Sequence, residues 1–182
     1  MKRVLMILFI IAVILFSAGC GMENTAREAA IQYLELYRTK DDVVMDELHE
    51  FVNNEDLTEA QKEKYYEILK KEYSTLMYEI EHEQYDGNVA YITFKVTVVD
   101  LYKAQKEANK YYEEHKDEFN DENGAYDAVL FLNYKLNQMK NMLDTKEYEI
   151  ELKVIKNNND WDVSQLSNDD LKKIHGVYEY EE

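Results

Sequence analysis

The chain has no proline, one cysteine, one tryptophan and only five glycines in 182 residues. The lone cysteine, Cys20, excludes an intramolecular disulfide, so an oxidising compartment would add nothing to the fold. With no proline and no Gly/Ser-rich stretch after Cys20, the sequence supplies no long flexible tether, and helix signals begin by Thr25. Positive charge is also scarce: 21 Lys and Arg against 38 Asp and Glu leave a formal charge of −17. Such a field repels phosphate backbones and anionic headgroups, which sets nucleic acid aside as a partner. There is no Gly-rich phosphate loop, and Ser74, Ser164 and Ser167 lack the glycine-flanked context of a nucleophile elbow.

The first twenty residues are the most informative part of what is present. Lys2 and Arg3 precede an unbroken apolar run from Val4 to Phe16, then small Ser17, Ala18 and Gly19, then Cys20. That order is the order of an export signal. The run is shorter than the roughly 20 residues needed to cross a hydrocarbon core. An uncleaved N-terminal anchor, with Cys20 an ordinary small residue, is the alternative reading. Ser17-Ala18-Gly19-Cys20 resembles the lipobox of bacterial lipoproteins, with Ser17 standing where leucine is common. The resemblance implies a diacylglyceryl thioether on Cys20, cleavage before it, and attachment to the extracytoplasmic face of the cell membrane. Two or more acyl chains would hold the protein stably. The expected organisation is a signal peptide over 1–19, a lipidated N-terminus and short tether over 20–24, and a single α+β domain over 25–182. Residues 20–182 carry −19, because Lys2 and Arg3 leave with the signal, and their length suffices to bury roughly 70% of the unfolded surface.

Thr25 and Glu28 fit a capping box, and Ala29, Tyr33, Leu36 and Tyr37 give the first helix an apolar stripe. A short helix is expected over Asp42–Val52 with Val44, Leu48 and Phe51 inward. A third is capped by Thr58 and Gln61 and runs to about Tyr73. The period then changes from 3.6 to 2. Leu76, Tyr78, Ile80 and His82 fall on one side of a strand, with Glu79, Glu81 and Glu83 on the other. Asp86-Gly87-Asn88 is a hairpin turn into Val89–Val99, where Ala90, Ile92, Phe94, Val96 and Val98 alternate with polar residues. A helical hairpin follows: Leu101, Ala104, Ala108, Tyr111 or Tyr112 and His115 share one face, and Val129, Leu132, Leu136, Met139 and Leu143 mark a second helix over about Tyr126–Leu143. Tyr148, Ile150, Leu152 and Val154 return to the strand period. Asn157–Asp160 turns into Trp161 and Val163, and Ser167 with Asp170 boxes a last helix stopped by Gly176.

This order predicts an α+β fold: an antiparallel sheet of at least four strands packed against helices, with the helical hairpin inserted between strands 2 and 3. The leading helix, the long hairpin and the closing Asn-Asp-Trp-Asp-Val strand resemble the cystatin-like or nuclear-transport-factor-2-like lipoproteins of Gram-positive bacteria, over about Thr25 to Gln165. The inserted hairpin departs from that pattern. The resemblance implies location and fold more than chemistry.

None of the four histidines has metal-ligand spacing. His49-Glu50 begins a zincin motif, but Asn53 occupies the place of the second histidine. His82 reads either as a boundary residue closing the sheet or as a pocket residue that binds a ligand or acts as a pH switch. The acidic stretch Asp117–Gly124 is not an EF-hand, because aligning Gly124 to the sixth loop position puts Phe119 first and Leu130 twelfth. It reads as a solvated turn or a weak, irregular calcium or magnesium cluster. Glu79, Glu81 and Glu83 could oppose Glu147, Glu149 and Glu151 if their strands were neighbours, raising a carboxyl pKa; Lys95 and Lys153 would counter this.

Sixteen tyrosines exceed what a small core needs. Tyrosine buries a ring while its hydroxyl seeks a partner, so some should line a cleft. The expected binding cleft uses Tyr78, His82, Tyr112 and Tyr148. The expected acidic docking face uses Glu79, Glu81, Glu149 and Glu151. No cofactor or metal is implied. The functional expectation is a membrane-anchored, noncatalytic binding module, a monomer, facing an envelope protein, a wall polymer or a small ligand. The alternative is an envelope enzyme using a tyrosine-lined cleft with a histidine or a glutamate of raised pKa. An immunity-type or purely structural lipoprotein is a third reading.

Overall fold

A computed structural model describes residues 25–164 and 166–181. The expected signal over 1–19, Cys20 and the tether over 20–24 lie outside the described residues. Thr25 opens helix α1 (Ala26–Thr39) with both halves of a capping box: Thr25 Oγ1 accepts from the Glu28 N–H at 3.2 Å, and the Glu28 carboxylate accepts from the Thr25 N–H at 3.4 Å. α1 buries Ala26, Ala30, Leu34 and Tyr37 completely and half-buries Ala29, Tyr33 and Leu36. Both stripes are covered because α1 lies between the sheet on one side and helices α2 (Asp42–Asn53) and α3 (Glu59–Tyr73) on the other.

The α3 cap is also a tertiary contact. The Thr58 N–H donates to Gln61 Oε1 at 3.0 Å, and Gln61 Nε2 reaches the Val129 carbonyl at 3.3 Å. Thr58→Ala is expected to lower stability by about 1 kcal/mol, read from the urea midpoint; an unchanged midpoint would show that the Gln61–Val129 bond alone holds this helix start.

Four antiparallel strands form one sheet in the order β1 (Met77–Asp86), β2 (Val89–Val99), β3 (Thr145–Asn157), β4 (Asp160–Val163). The β1–β2 turn is Gly87-Asn88, with Gly87 at φ +59°, the first-position glycine that two-residue hairpins favour. Between β2 and β3 the chain leaves the sheet for α4 (Leu101–Glu114), a short 3-10 turn (Lys116–Phe119) and α5 (Ala128–Asn141). The inward rows Ala90, Ile92, Phe94 and Val96 of β2 and Tyr148, Ile150, Leu152 and Val154 of β3 are buried under the helices. The opposite face carries Glu79, Lys95 and Glu149 in one row and His82, Thr93 and Glu151 in another.

Three expectations change. A β-bulge interrupts β1: Ile80 pairs with Phe94, yet His82, two residues on, pairs with the very next residue, Thr93. The extra residue shifts the alternation by one, so His82 leaves the apolar side and stands exposed on the outer face. Glu83 moves to the helix side, opposite Ile92, where the Arg27 guanidinium donates to it at 2.5 Å. Next, β1 and β3 are not neighbours. β2 separates the two glutamate rows, and the Lys95 ammonium pairs with the Glu79 carboxylate, so carboxylates do not oppose each other directly. The third change is in α5, which buries Leu136 and Met139 but leaves Val129 at 48% and Leu143 at 85% exposure. Its first turns face α4 instead of the core, where Phe131 packs on Tyr112 and Phe119; Leu143 lies past the helix end.

The chain closes with α6 (Asn168–Ile174), capped by Ser167, whose hydroxyl accepts from the Asp170 N–H at 3.1 Å. Gly176 at φ +69° ends it: its N–H bonds the Lys173 carbonyl and the Val177 N–H bonds the Lys172 carbonyl, each at 3.0 Å, the pair of bonds that defines a Schellman stop.

Candidate functional site

A cleft of about 190 Å³ opens between α1, α2 and the α6 segment. Its lining is Tyr33 from α1, Glu47, Glu50 and Phe51 from α2, Asn54, and Leu166, Asn168 and Leu171 around α6. The helix period places these residues. Glu47, Glu50 and Phe51 lie three and four apart on one face of α2, next to the Val44–Leu48–Val52 stripe that faces the core. Among the described residues, the lining holds two carboxylates, two aromatic rings and no basic side chain.

Behind this wall lies a buried polar chain. The Tyr37 hydroxyl reaches Glu47 Oε2 at 3.4 Å. Tyr37 packs edge-on to Tyr33 and to Tyr73, with ring centroids 5.9 and 5.2 Å apart. The Tyr73 hydroxyl and His175 Nε2 are 2.7 Å apart. The Phe51 ring, which lines the cleft, meets His175 edge-on at 4.4 Å. Burial governs the ionisation of the three tyrosines and of His175. It holds the Tyr33, Tyr37 and Tyr73 hydroxyls above the ordinary phenol range, so all three stay protonated. It pushes His175, only 2% exposed, down to about 3, so the imidazole is neutral at physiological pH. A neutral imidazole has one N–H and one lone pair, and Nδ1 is buried without a hydrogen-bond partner among the described residues. Tyr73 and His175 are therefore a neutral hydrogen-bonded pair, one ring removed from a cleft of negative charge.

The four residues expected to share a cleft do not meet. Tyr78 is half-buried on β1, its hydroxyl bonded to the Glu35 carboxylate and its ring edge-on to Phe94. Tyr148 shares a sheet row with Tyr78, but Val96 lies between them, and its ring meets Tyr178 of the C-terminal segment. Tyr112 belongs to a separate aromatic cluster with Phe119, Tyr126 and Phe131 at the tip of the helical hairpin. His82 is on the outer face. The cleft fails to form from these four because the bulge turns His82 away and the inserted hairpin carries Tyr112 into its own cluster. Glu79, Glu81, Glu149 and Glu151 are all exposed, Glu79 and Glu149 in one row with Lys95 between them. Lys95 holds its proton above the usual lysine range through its hydrogen bond to Glu79 and the nearby Glu147.

In the acidic loop, Asp121 Oδ1 accepts the Asn123 and Ala125 N–H groups at 2.8 and 2.9 Å, which holds that carboxyl below the usual range. Glu118 accepts from the Tyr111 hydroxyl at 2.9 Å. Among the described residues no three His, Cys, Asp or Glu side chains are grouped to hold a metal ion.

Sequence reasoning missed His175 as a site residue. The available signal was its position between Ile174 and Gly176, where a helix that stops in a glycine turns its last residues inward. The chain matches no family model, and no curated protein or solved structure is significantly similar to it.

Proposed function

We propose that this chain is a binding module held at the extracytoplasmic face of a membrane through Cys20, and that the cleft between α1, α2 and α6 is where it works. The frame is of the cystatin-like, nuclear-transport-factor-2-like kind, a reading supported by a leading helix laid across one face of an antiparallel sheet. The occupant is a small organic cation, such as the ammonium or guanidinium end of a basic side chain on an envelope peptide. The observation that carries this is the lining: Glu47 and Glu50 supply charge, Tyr33 and Phe51 supply ring faces, and no basic residue competes. The size of the cleft suits one side chain rather than a drug-sized ligand, since such ligands occupy roughly 300 Å³ or more. The negative charge of the whole chain would draw cations in, and binding should weaken as salt rises.

N-acetyl-argininamide is a suitable probe, titrated calorimetrically. Glu47→Gln and Glu50→Gln are each expected to weaken its binding about tenfold, on the scale of a lost hydrogen bond to a charged group. Equal affinity for wild type and both variants would reject the cleft as the cation site.

A second reading, an envelope enzyme using a tyrosine-lined cleft with a histidine, draws support from the Tyr73–His175 hydrogen bond and the unpartnered Nδ1. It has more behind it than docking on the glutamate face, where the Glu79 carboxylate is already paired with the Lys95 ammonium. For His175 to touch a substrate, Phe51 must swing aside. Occupied cleft protein should then lose its resistance to diethyl pyrocarbonate at His175; unchanged resistance on adding the probe counts against catalysis through this residue.

A further inference from the structure

The N-cap of α1 lies at one particular end of the sheet, the end where β1 turns into β2. The Arg27 guanidinium is bonded to Glu83 near the end of β1 and adds its field to Tyr85. Tyr85 shares a row with Ala90, Val154 and Val163 on the helix-covered side, and the next residues on that side are Lys156 and Trp161, paired across β3 and β4. Both hairpin turns, Gly87-Asn88 and Asn158-Asn159, are therefore at the same end as Thr25. Five residues, 20–24, separate this end from the export segment. Even fully extended they reach only about 17 Å.

The surface at this end has the composition of an interfacial contact. Tyr85 is 54% exposed despite facing the helix side, and Trp161, the chain's single tryptophan, is half-buried with the Lys156 ammonium 5.6 Å from its ring centre. Tyrosine and tryptophan combine an apolar body with a polar tip and settle at the headgroup level; lysine lays its stem along apolar surface and keeps its charge in the headgroups. Asp86, Asp160 and Asp162 rim the same turns, so the surface it suits is zwitterionic and not anionic.

We infer that the hairpin-turn end of the sheet, through Tyr85, Lys156 and Trp161, rests on the headgroup layer of a zwitterionic membrane surface. This rests on the reading that the chain is held at the membrane through Cys20. The occupant follows from the short stretch outside the described residues and from where it joins the fold. An alternative contact, the hairpin tip with exposed Tyr126, Val129 and Leu130, has no such tie to the anchor.

The test uses the full chain purified from its native membrane and placed in phosphatidylcholine vesicles carrying spin-labelled lipid, with the label near the headgroup or deep in the acyl chain. Intact mass reports acylation and flotation reports attachment. The expected result is acylated, floating protein whose Trp161 emission is lost with the shallow label and kept with the deep one. Acylated, floating protein with Trp161 emission unchanged by either label overturns the proposed orientation while leaving the anchor intact. Protein without acyl groups that does not float overturns both, and the mass separates that failure from the first.

Discussion

Gly176→Ala is expected to destabilise the protein by about 3 kcal/mol, from backbone strain and a steric clash together. A Cβ at this position would meet the Val99 carbonyl oxygen at 2.1 Å, and φ is +69°. The obstructing atom is backbone at the end of the central strand β2, so no side chain can swing away. Relief would have to come from the Schellman stop of α6 or from the Tyr102 N–H bond to the Gly176 carbonyl at 2.8 Å. Either concession loosens the segment that follows, which seats Tyr178 against Tyr148 and bonds the Tyr180 hydroxyl to the buried Asp100 at 2.5 Å. Gly124 is the internal control. Its φ of +79° is as demanding, yet nothing lies within 4 Å of an added Cβ, so Gly124→Ala should cost only about 1 kcal/mol. Urea midpoints of the two variants measure the difference, and equal midpoints would mean that the close approach to Val99 has no energetic weight.

The second large effect is a dependence of stability on pH set by His175. Its folded value is about 3 and its unfolded value 6.5. Above 6.5 neither state holds the proton, and the contribution of the neutral buried ring is complete. Below 6.5 the unfolded chain takes up a proton that the folded chain refuses, so stability falls by about 1.4 kcal/mol per pH unit until the folded ring also protonates. Between pH 6.5 and pH 5 the loss should be about 2 kcal/mol. The double variant Tyr73→Phe with His175→Phe replaces both partners of the hydrogen bond with apolar rings. It should keep most of the stability at pH 7 and lose this part of the pH slope. Tyr73→Phe alone removes the hydrogen-bond partner that the sealed imidazole has among the described residues and should cost about 1–3 kcal/mol. If the double variant keeps the wild-type slope between pH 7 and pH 5, the slope does not come from His175.

Much of the frame was legible from local signals. The capping pairs Thr25/Glu28 and Thr58/Gln61, the strict alternation from Val89 to Val99, the turn at Gly87 and the stop at Gly176 each act within a few residues, and each stands where the sequence placed it. The misreadings share a different cause. A bulge leaves no mark on a run such as Glu-Ile-Glu-His-Glu, where every other residue is acidic in either register, so the side taken by His82 was decided by pairing with β2. Val129 lies in the register of Leu136 on α5, but periodicity does not record where a partner helix ends. The cleft was hidden for a related reason. Its lining joins the neighbouring helices α1 and α2 to α6 at the far end of the chain, and Glu47 and Glu50 resemble any solvent-facing glutamates until Tyr33 and Leu171 are set opposite them.

The most direct test of the cleft as the working site is residue-resolved. Backbone amide resonances of the folded chain would be followed by NMR as N-acetyl-argininamide is added at low salt. The account predicts shifts concentrated at Tyr33, Glu47, Phe51 and Leu171, reduced in Glu47→Gln and Glu50→Gln. Shifts concentrated instead at Glu79, Lys95, Glu149 and Glu151 would contradict it and return the function to the outer face of the sheet.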